Sequence, residues 1–353
     1  MRDISLVKIL PVEPRVPFIK GRVIAAALSV LAVLASIFLF ATKGLNYGLD
    51  FTGGVVQTVD FGEEPPADVQ NYVQGLFPGS QVQNISQPPG SEVAYDYLRI
   101  SLPLQAAESE PAETSTEDGV GVDTRETQSD AQQVALASLN DALRARYCVG
   151  VAEGNPEATC AIREDATETV SGKVSGELRR KGTIAVLLAL GLVLAYIWFR
   201  FEWQFGVGAV VALLHDVILT IGVFSLVGVE FNLAIIAAIL TIVGYSLNDT
   251  VIVYDRIREN LRKYKKMPLA EVINISINDT LSRTILTSVT TLLALTALYV
   301  LGGPGLRGFS FAMIWGVIVG TYSSIFVASP LLLLLKLRRG GKIEQTGGEL
   351  QTA

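Results

Sequence analysis

Long apolar stretches, each about as long as a membrane-spanning helix, dominate the hydrophobic pattern of the chain. The hydrocarbon core of a bilayer is about 30 Å thick and requires roughly 20 apolar residues in helical form. The pattern therefore predicts six transmembrane helices. They cover residues 23–41, 183–199, 205–229, 231–254, 281–301 and 309–335.

The connections between these stretches differ greatly in length. Only Glu230 separates the third stretch from the fourth, which predicts a tight helical hairpin. The glycines and proline of residues 302–305 break the chain between the fifth and the sixth. Residues 42–181, in contrast, are numerous enough to form a folded domain between the first helix and the second.

This long segment shows the pattern of a small α+β domain. Its order of strand, helix, strand, strand, helix and strand is that of the split βαβ, or ferredoxin-like, fold. Residues 103–130 are rich in Glu, Ser and Thr and predict a disordered insertion. The predicted elements cover residues 55–61, 65–77, 80–86, 93–102, 129–147 and 161–170.

Composition agrees with a membrane protein. Half of the residues are hydrophobic, 18% are charged, and the mean hydropathy is +0.43, which is too apolar for an ordinary soluble chain of 353 residues. The fold class predicted is therefore a membrane α-helical bundle of six transmembrane helices with an external α+β domain.

Lys and Arg residues near helix ends predict the orientation, because the richer side stays in the cytoplasm. Basic residues are frequent in the N-terminal segment 1–22, in the loop 255–280 between the fourth and fifth helices, and in the tail 336–353. Six helices place all three on one side, which leaves residues 42–181 outside the inner membrane. The cluster Arg179, Arg180 and Lys181 disagrees, since it would lie at the outer end of the second helix.

The net charge of -6 is concentrated in the external segment, where acidic residues outnumber basic ones. This acidity argues against nucleic-acid binding. The basic cytoplasmic loop is explained by topology and by contact with anionic membrane lipid.

Both cysteines of the chain, Cys148 and Cys160, fall in the predicted external domain. An oxidising compartment permits a disulfide between them, and two unpaired thiols are the alternative. No histidine lies in this segment, so no metal site is expected.

Ionisable residues inside the predicted helices are the strongest functional signal. The chain has no phosphate-binding loop with its Lys and Ser or Thr, so an ion gradient is the expected energy source. A charged residue at the centre of a membrane helix costs about 2.5–3.5 kcal/mol on insertion scales and therefore suggests a function. His215 and Asp216 lie in the third helix, Asp249 in the fourth and Arg283 in the fifth.

Each of these residues also has a structural alternative. His215 and Asp216 can be a hydrogen-bonded pair that locks one helix to its neighbours, and Arg283 can extend to the cytoplasmic surface. Asp249 is the better functional candidate. It forms a polar stripe that should face other helices or a wet cavity rather than lipid, with Thr241, Tyr245 and Asn248. Arg283 continues in the same way into Thr287 and Thr291.

Several motifs, in order along nearly the whole chain, resemble the SecF family of bacterial protein-export membrane proteins. They are Leu45–Gly54, Arg200–Trp203, Leu214–Asp216, Gly244–Thr250, Asp255–Asn260 and Arg283–Thr284. The insertion at 103–130 lies outside the resemblance.

The resemblance implies an accessory, non-enzymatic subunit of the Sec translocase in the bacterial inner membrane. It implies partnership with SecD, the SecYEG channel, YajC and the translocating preprotein. It also implies the architecture of resistance-nodulation-division transporters, with protons as the coupling ion and no cofactor. In this family the positions of Asp249, Arg283 and Thr287 belong to the proton pathway. The signature Asp50, Phe51, Thr52, Gly53 and Gly54 has a less clear role.

Two other functions remain open from the sequence. A proton-driven exporter of small solutes has the same architecture, but usually carries two six-helix halves in one chain. A non-transporting assembly factor would use its polar helices only to dock a partner.

Overall fold

A computed structural model describes residues 16–62, 64–85, 97–103, 124–148, 162–170 and 172–335. These residues form a bundle of long helices and a smaller unit of strands and helices. A 3-10 turn (Phe18–Gly21) precedes α1. The elements are α1 (Arg22–Lys43), β1 (Asn46–Tyr47), α2 (Leu49–Thr52), β2 (Gly54–Asp60), α3 (Val69–Leu76), β3 (Gln81–Ile85), β4 (Tyr97–Pro103), α4 (Thr124–Tyr147), β5 (Arg163–Val170), α5 (Gly172–Arg200), α6 (Trp203–Val227), β6 (Glu230–Phe231), α7 (Leu233–Lys263), α8 (Leu269–Leu301), α9 (Pro304–Ser323), a π-turn (Ser324–Ala328) and α10 (Ser329–Leu334).

Six helices of the described chain are long and apolar enough to cross a membrane. They are α1, α5, α6, α7, α8, and α9 together with the π-turn and α10. Each overlaps most of one of the apolar stretches recognised in the sequence, so the predicted number and order of helices are confirmed. The chain is a multi-span membrane protein.

The predicted loop 255–280 is largely helical. α7 has 31 residues and α8 has 33. At 1.5 Å per residue both exceed a hydrocarbon core of about 30 Å, so their polar ends extend beyond it. Asn260 of α7 donates to Ser276 Oγ of α8 at 3.0 Å, which holds these ends together. The turn between the two helices covers only residues 264–268.

α6, α7 and α9 form the centre of the bundle, and α1, α5 and α8 lie around them. The outer helices leave many large apolar side chains exposed, such as Val23, Leu188 and Leu293. Lipid tails are as apolar as these side chains, so the membrane is the environment that suits this surface. The central helices bury polar groups instead, which is where the candidate site lies.

Glycines allow α7 and α9 to pack closely. Gly316 and Gly320 are one turn apart on α9 and face Ile242 and Ser246 of α7. Small residues with this spacing let two helix backbones approach each other within a membrane. A methyl group at Gly320 would lie only 2.9 Å from the Cβ of Ser246, closer than real side chains pack.

Gly320→Ala should therefore destabilise the bundle. We expect a loss of about 1–3 kcal/mol, the usual cost of overpacking a filled core, seen as a lower Tm of the detergent-solubilised protein. Gly244→Ala on α7 is the matched control, because a methyl group there meets no atom within 4 Å. Equal Tm values for the two variants would show that α7 and α9 do not depend on this glycine.

The smaller unit is a four-stranded sheet with two helices. The strand order is β3-β4-β2-β5, with antiparallel neighbours throughout. Apolar side chains from the sheet and from α3 and α4 pack into one core that includes Val59, Val73, Ile100 and Leu139. The strands and helices follow one another in the order that the sequence pattern predicted.

α4 begins at Thr124, so the last residues of the expected insertion 103–130 are helical rather than disordered, and Pro103 still belongs to β4. Residues 104–123 lie outside the described residues. Cys148 is buried against the core. Cys160 lies outside the described residues, so its pairing with Cys148 stays a prediction.

Candidate functional site

Asp249 lies at the centre of the bundle, where three elements meet. Its side chain is 6% exposed. Thr284 of α8 donates a hydrogen bond to Oδ1 at 2.7 Å, and Ser324 of the π-turn donates to Oδ2 at 2.5 Å. Both carboxylate oxygens therefore have a hydroxyl partner, and the side chain joins α7 to α8 and to the end of α9.

Asp216 forms a second buried carboxylate in the same bundle. It is fully buried, and Ser246 of α7 and Ser323 of α9 donate to its Oδ2 at 2.5 and 2.8 Å. The neighbouring His215 places Nδ1 2.9 Å from Oδ1. Asp216 thus connects α6 with α7 and α9, which agrees with the helix-locking interpretation of this pair.

An irregular turn carries the hydroxyl groups that reach both carboxylates. Ser323 ends α9 and Ser324 begins the π-turn, which precedes Pro330 in α10. Proline lacks an N–H group and clashes with the preceding helical turn, so it disturbs the regular hydrogen bonds there. Ser329 Oγ donates to the Ser324 carbonyl at 2.7 Å. π-turns of this kind occur frequently at functional sites.

The predicted polar stripe is only partly covered within this chain. Thr241 and Asn248 are exposed, and Tyr245 is half-buried with its hydroxyl 3.4 Å from Ser288 Oγ. Arg283 and Thr287 of α8 are also exposed, and Thr287 donates only to backbone carbonyls of its own helix. Most of the stripe therefore lies outside the core of this chain, and the expectation that it faces other helices or a wet cavity rather than lipid stays a prediction.

Arg283 does not contact Asp249 directly. Among the described residues it makes no ion pair within 4.0 Å, although it immediately precedes Thr284, which does bind Asp249. The predicted proton-pathway residues thus occupy adjoining positions: Asp249 lies inside the bundle, and Arg283 and Thr287 lie on its outer face.

The signature at residues 50–54 forms a joint between the strand unit and the bundle. Asp50 Oδ2 accepts a hydrogen bond from the backbone N–H of Leu233 at 2.9 Å, at the first residue of α7. Carboxylates stabilise helix N-termini because the first N–H groups have no partner within the helix. Gly53 and Gly54 have φ values of 68° and 133°, which favour glycine, and lead directly into β2.

Aromatic and strand contacts complete this joint. Phe51 packs against Phe231 with ring centroids 5.8 Å apart, and Asn46–Tyr47 pairs in parallel with Glu230–Phe231. Glu230 also lies 3.7 Å from Arg99 of β4. The signature therefore attaches the sheet to the N-terminus of the helix that carries Asp249. The sequence showed the motif but not this contact.

The hydroxyl groups around the carboxylates were not recognised in the sequence as site residues. Ser246 and Thr284 belong to quoted motifs, but no role was given to them, and Ser323 and Ser324 were not noticed. Two consecutive serines inside an apolar stretch, followed by Ser329 and Pro330, are a signal that could have revealed the turn.

Helices able to span a membrane, buried carboxylates among them, and a folded unit between the first two define a multi-span protein of the membrane transport class. Residues 153–338 match the family described as protein export membrane protein SecD/SecF, C-terminal, and residues 38–62 match the SecD/SecF GG motif. The chain belongs to the SecF family of protein translocase subunits.

Individual relatives agree with this assignment. The chain is 40% identical to the protein translocase subunit SecF of Desulfurispirillum indicum over 329 residues, 92% of each chain. It is 39% identical to that of Cereibacter sphaeroides over 338 residues, 95% of this chain and 94% of the relative. The crystal structure of SecDF from Thermus thermophilus, a translocon-associated membrane protein, matches with a TM-score of 0.72 and 34% identity. That match covers 94% of this chain but 40% of SecDF.

Proposed function

We propose that this translocase subunit couples the proton-motive force to the export of preproteins across the inner membrane. The observation that carries the proposal is the buried Asp249, held between hydroxyl groups inside a membrane bundle. Protons are the coupling ion, and no cofactor is required. The role is one of transport rather than enzymatic catalysis.

The chemistry of Asp249 suits a proton carrier. A carboxyl group in a membrane interior is stable with its proton and costly without it, unless a cation comes near. Hydroxyl groups can serve either form, because they donate to a carboxylate and accept from a carboxylic acid. Arg283 occupies the neighbouring position on α8 from which a cation can act. Its approach would favour release of the proton, and its withdrawal would favour uptake.

The exposed polar face suggests where a partner binds. Arg283, Thr287 and Asn248 are costly to expose to lipid, so another protein should cover them. SecDF relatives carry more than twice the length of this chain, as in Thermus thermophilus, where the match covers 40% of the SecDF sequence. We propose that SecD covers this face as a separate chain, and that the pair acts beside SecYEG, with YajC as a further component.

The strand unit is proposed as the external domain of ferredoxin-like fold that responds to proton movement. Gly54 begins β2 directly after the signature, and Asp50 contacts the N-terminus of α7. A change around Asp249 therefore has a continuous route to the sheet, along α7 to Leu233 and through its hydrogen bond to Asp50. In this orientation residues 42–181 face the periplasm, and both termini lie in the cytoplasm.

Cysteine labelling tests the orientation. In a chain whose native cysteines are replaced by serine, Asn71→Cys on α3 and Lys266→Cys after α7 introduce single exposed thiols. With an impermeant maleimide on intact spheroplasts, we expect Asn71→Cys to be labelled and Lys266→Cys to react only after lysis. Labelling of Lys266→Cys in intact spheroplasts would reverse the proposed topology.

Proton flux distinguishes the proposal from an assembly role. Vesicles that contain this chain and SecD should conduct protons above the background of empty vesicles when a gradient is imposed. An assembly factor would conduct none. The family assignment already favours the translocase over an exporter of small solutes.

A further inference from the structure

The two buried carboxylates of the bundle, Asp216 and Asp249, accept hydrogen bonds from the same irregular turn. Ser323 donates to Asp216 and Ser324 donates to Asp249, and these serines are adjacent in the chain. Any rotation of the turn must change both hydrogen bonds together.

α7 closes the connection from the other side. Ser246, which donates to Asp216 Oδ2 at 2.5 Å, precedes Asp249 by one helical turn. The carboxylates are thus linked twice, once through α7 and once through the turn at Ser323 and Ser324. Gly320 keeps the two elements close, because its missing side chain leaves room for Ser246.

Each serine of the turn has a choice of acceptor. Ser323 Oγ lies 2.8 Å from Asp216 Oδ2 and 3.1 Å from the Gly320 carbonyl. Ser324 Oγ lies 2.5 Å from Asp249 Oδ2 and 3.0 Å from the Thr321 carbonyl. A hydroxyl group has a single proton to donate, so it binds either the carboxylate or the backbone. Charge on a carboxylate therefore decides how its serine bonds to α9.

The contacts of His215 indicate that, in the pair of His215 and Asp216, the histidine is neutral and the aspartate is ionised. His215 Nε2 is buried without a hydrogen-bond partner, while Nδ1 faces Asp216. A neutral imidazole that donates from Nδ1 leaves only a lone pair unsatisfied at Nε2, whereas the protonated ring would bury an unpaired N–H group. Asp216 then accepts from Ser246, Ser323 and His215, as a carboxylate with four lone-pair sites can.

We propose that Asp216 is a positioning residue of the proton site: its charge holds Ser323 and Ser246 and thereby sets the turn that presents Ser324 to Asp249. This inference rests on the proposed proton-carrier function of Asp249. Asp216 keeps its charge through the cycle, and the transported proton binds and leaves Asp249 alone.

Among the described residues, Asp216 is the acidic side chain that accepts a hydrogen bond from Ser323. The ionisable side chains on the described elements around it are its neighbour His215, Tyr322 stacked on that histidine, Tyr245, Asp249 and Tyr254 on α7, and Arg283 beyond them on α8. On α1 and α5 the Lys and Arg residues lie towards the helix ends. Removing the Asp216 charge therefore removes the anion that faces the shared turn.

The test measures proton flux over a range of pH in vesicles that contain the full chain and SecD. Asp216→Asn should move the pH profile of flux towards higher pH by about one unit, the scale of a lost hydrogen bond from Ser324 to the carboxylate of Asp249. Ser323→Ala should move it in the same direction by a smaller amount. Ser310→Ala is the matched control, since Ser310 is buried on the same helix but its Oγ has no hydrogen-bond partner.

The outcomes separate this inference from the function on which it rests. An unshifted profile for Asp216→Asn, or a Ser323→Ala profile equal to that of Ser310→Ala, would overturn the positioning role. If Asp216→Asn fails to accumulate in the membrane, the comparison of the two serine variants decides. Asp249→Asn is measured alongside: flux that persists in that variant refutes the proton-carrier function itself.

Discussion

Asp249→Asn should remove the proton-driven part of preprotein export while the protein stays in the membrane at its normal level. Asparagine keeps the size of the side chain: its amide oxygen can accept from one of the two hydroxyl groups, Thr284 or Ser324, and its NH2 group can donate to the other. It cannot bind and release a proton, so the cycle stops. We expect gradient-dependent export into inverted membrane vesicles to fall to the level measured without a gradient.

A control on the same helix isolates the effect of burial. Asp255 lies six residues further along α7, where it is only partly buried and pairs with Arg200 at 3.2 Å. Exposed ion pairs contribute little to stability, so Asp255→Asn should export at nearly the normal rate. Loss of export that simply follows falling protein levels in Asp249→Asn would support a structural role for the carboxylate instead.

Arg283 should be the second position with a large effect. Arg283→Gln removes the cation beside the Asp249 site, and we expect gradient-driven export to fall by at least about tenfold. Arg283→Lys keeps the charge but loses the planar set of five donors, so it should be partly or wholly defective. The assay is again export into vesicles at matched abundance.

Arg262 provides a control for Arg283, because it is also an exposed arginine but lies away from Asp249. Arg262→Lys changes an exposed arginine in the last turn of α7 and should have little effect. If Arg283→Gln exports normally but no longer co-purifies with SecD, the residue serves the interface rather than proton transfer. Normal export together with normal co-purification would exclude both roles.

The sequence predicted the helices well because membrane insertion leaves a strong signal. A span needs about 20 apolar residues, and six stretches of that length in one chain are distinctive of membrane helices. The ends were harder to predict. α7 and α8 continue into charged segments, where hydropathy falls although the backbone hydrogen bonds of the helix persist, so residues 255–280 resembled a loop.

The candidate site was predicted only in its charged members. Asp249 and Asp216 stood out because a carboxyl group is rare in a membrane helix. Serine and threonine are common in such helices, where their hydroxyl groups usually bond to the preceding turn. Nothing local in the sequence distinguishes Ser323 and Ser324, which reach carboxylates, from Thr287 and Thr290, which bond to their own helix.

The orientation of polar faces also depended on information that one chain does not contain. Periodicity placed Asn248 near Asp249 on α7, and it predicted a face turned towards other helices or a wet cavity rather than lipid. Adjacent residues point about 100° apart around a helix, so Asp249 faces inward while Asn248 is exposed. The partner proposed to cover that face, SecD, cannot be recognised from the pattern of this chain alone.

Proton flux through the reconstituted pair of this chain and SecD measures most directly whether Asp249 carries the proton. Vesicles with a pH-sensitive dye inside should acidify when an inward proton gradient is imposed, and vesicles that carry Asp249→Asn should acidify no faster than empty ones. Asp255→Asn should match the unaltered protein. Equal acidification by the unaltered protein and by Asp249→Asn, at equal protein content, would contradict the account.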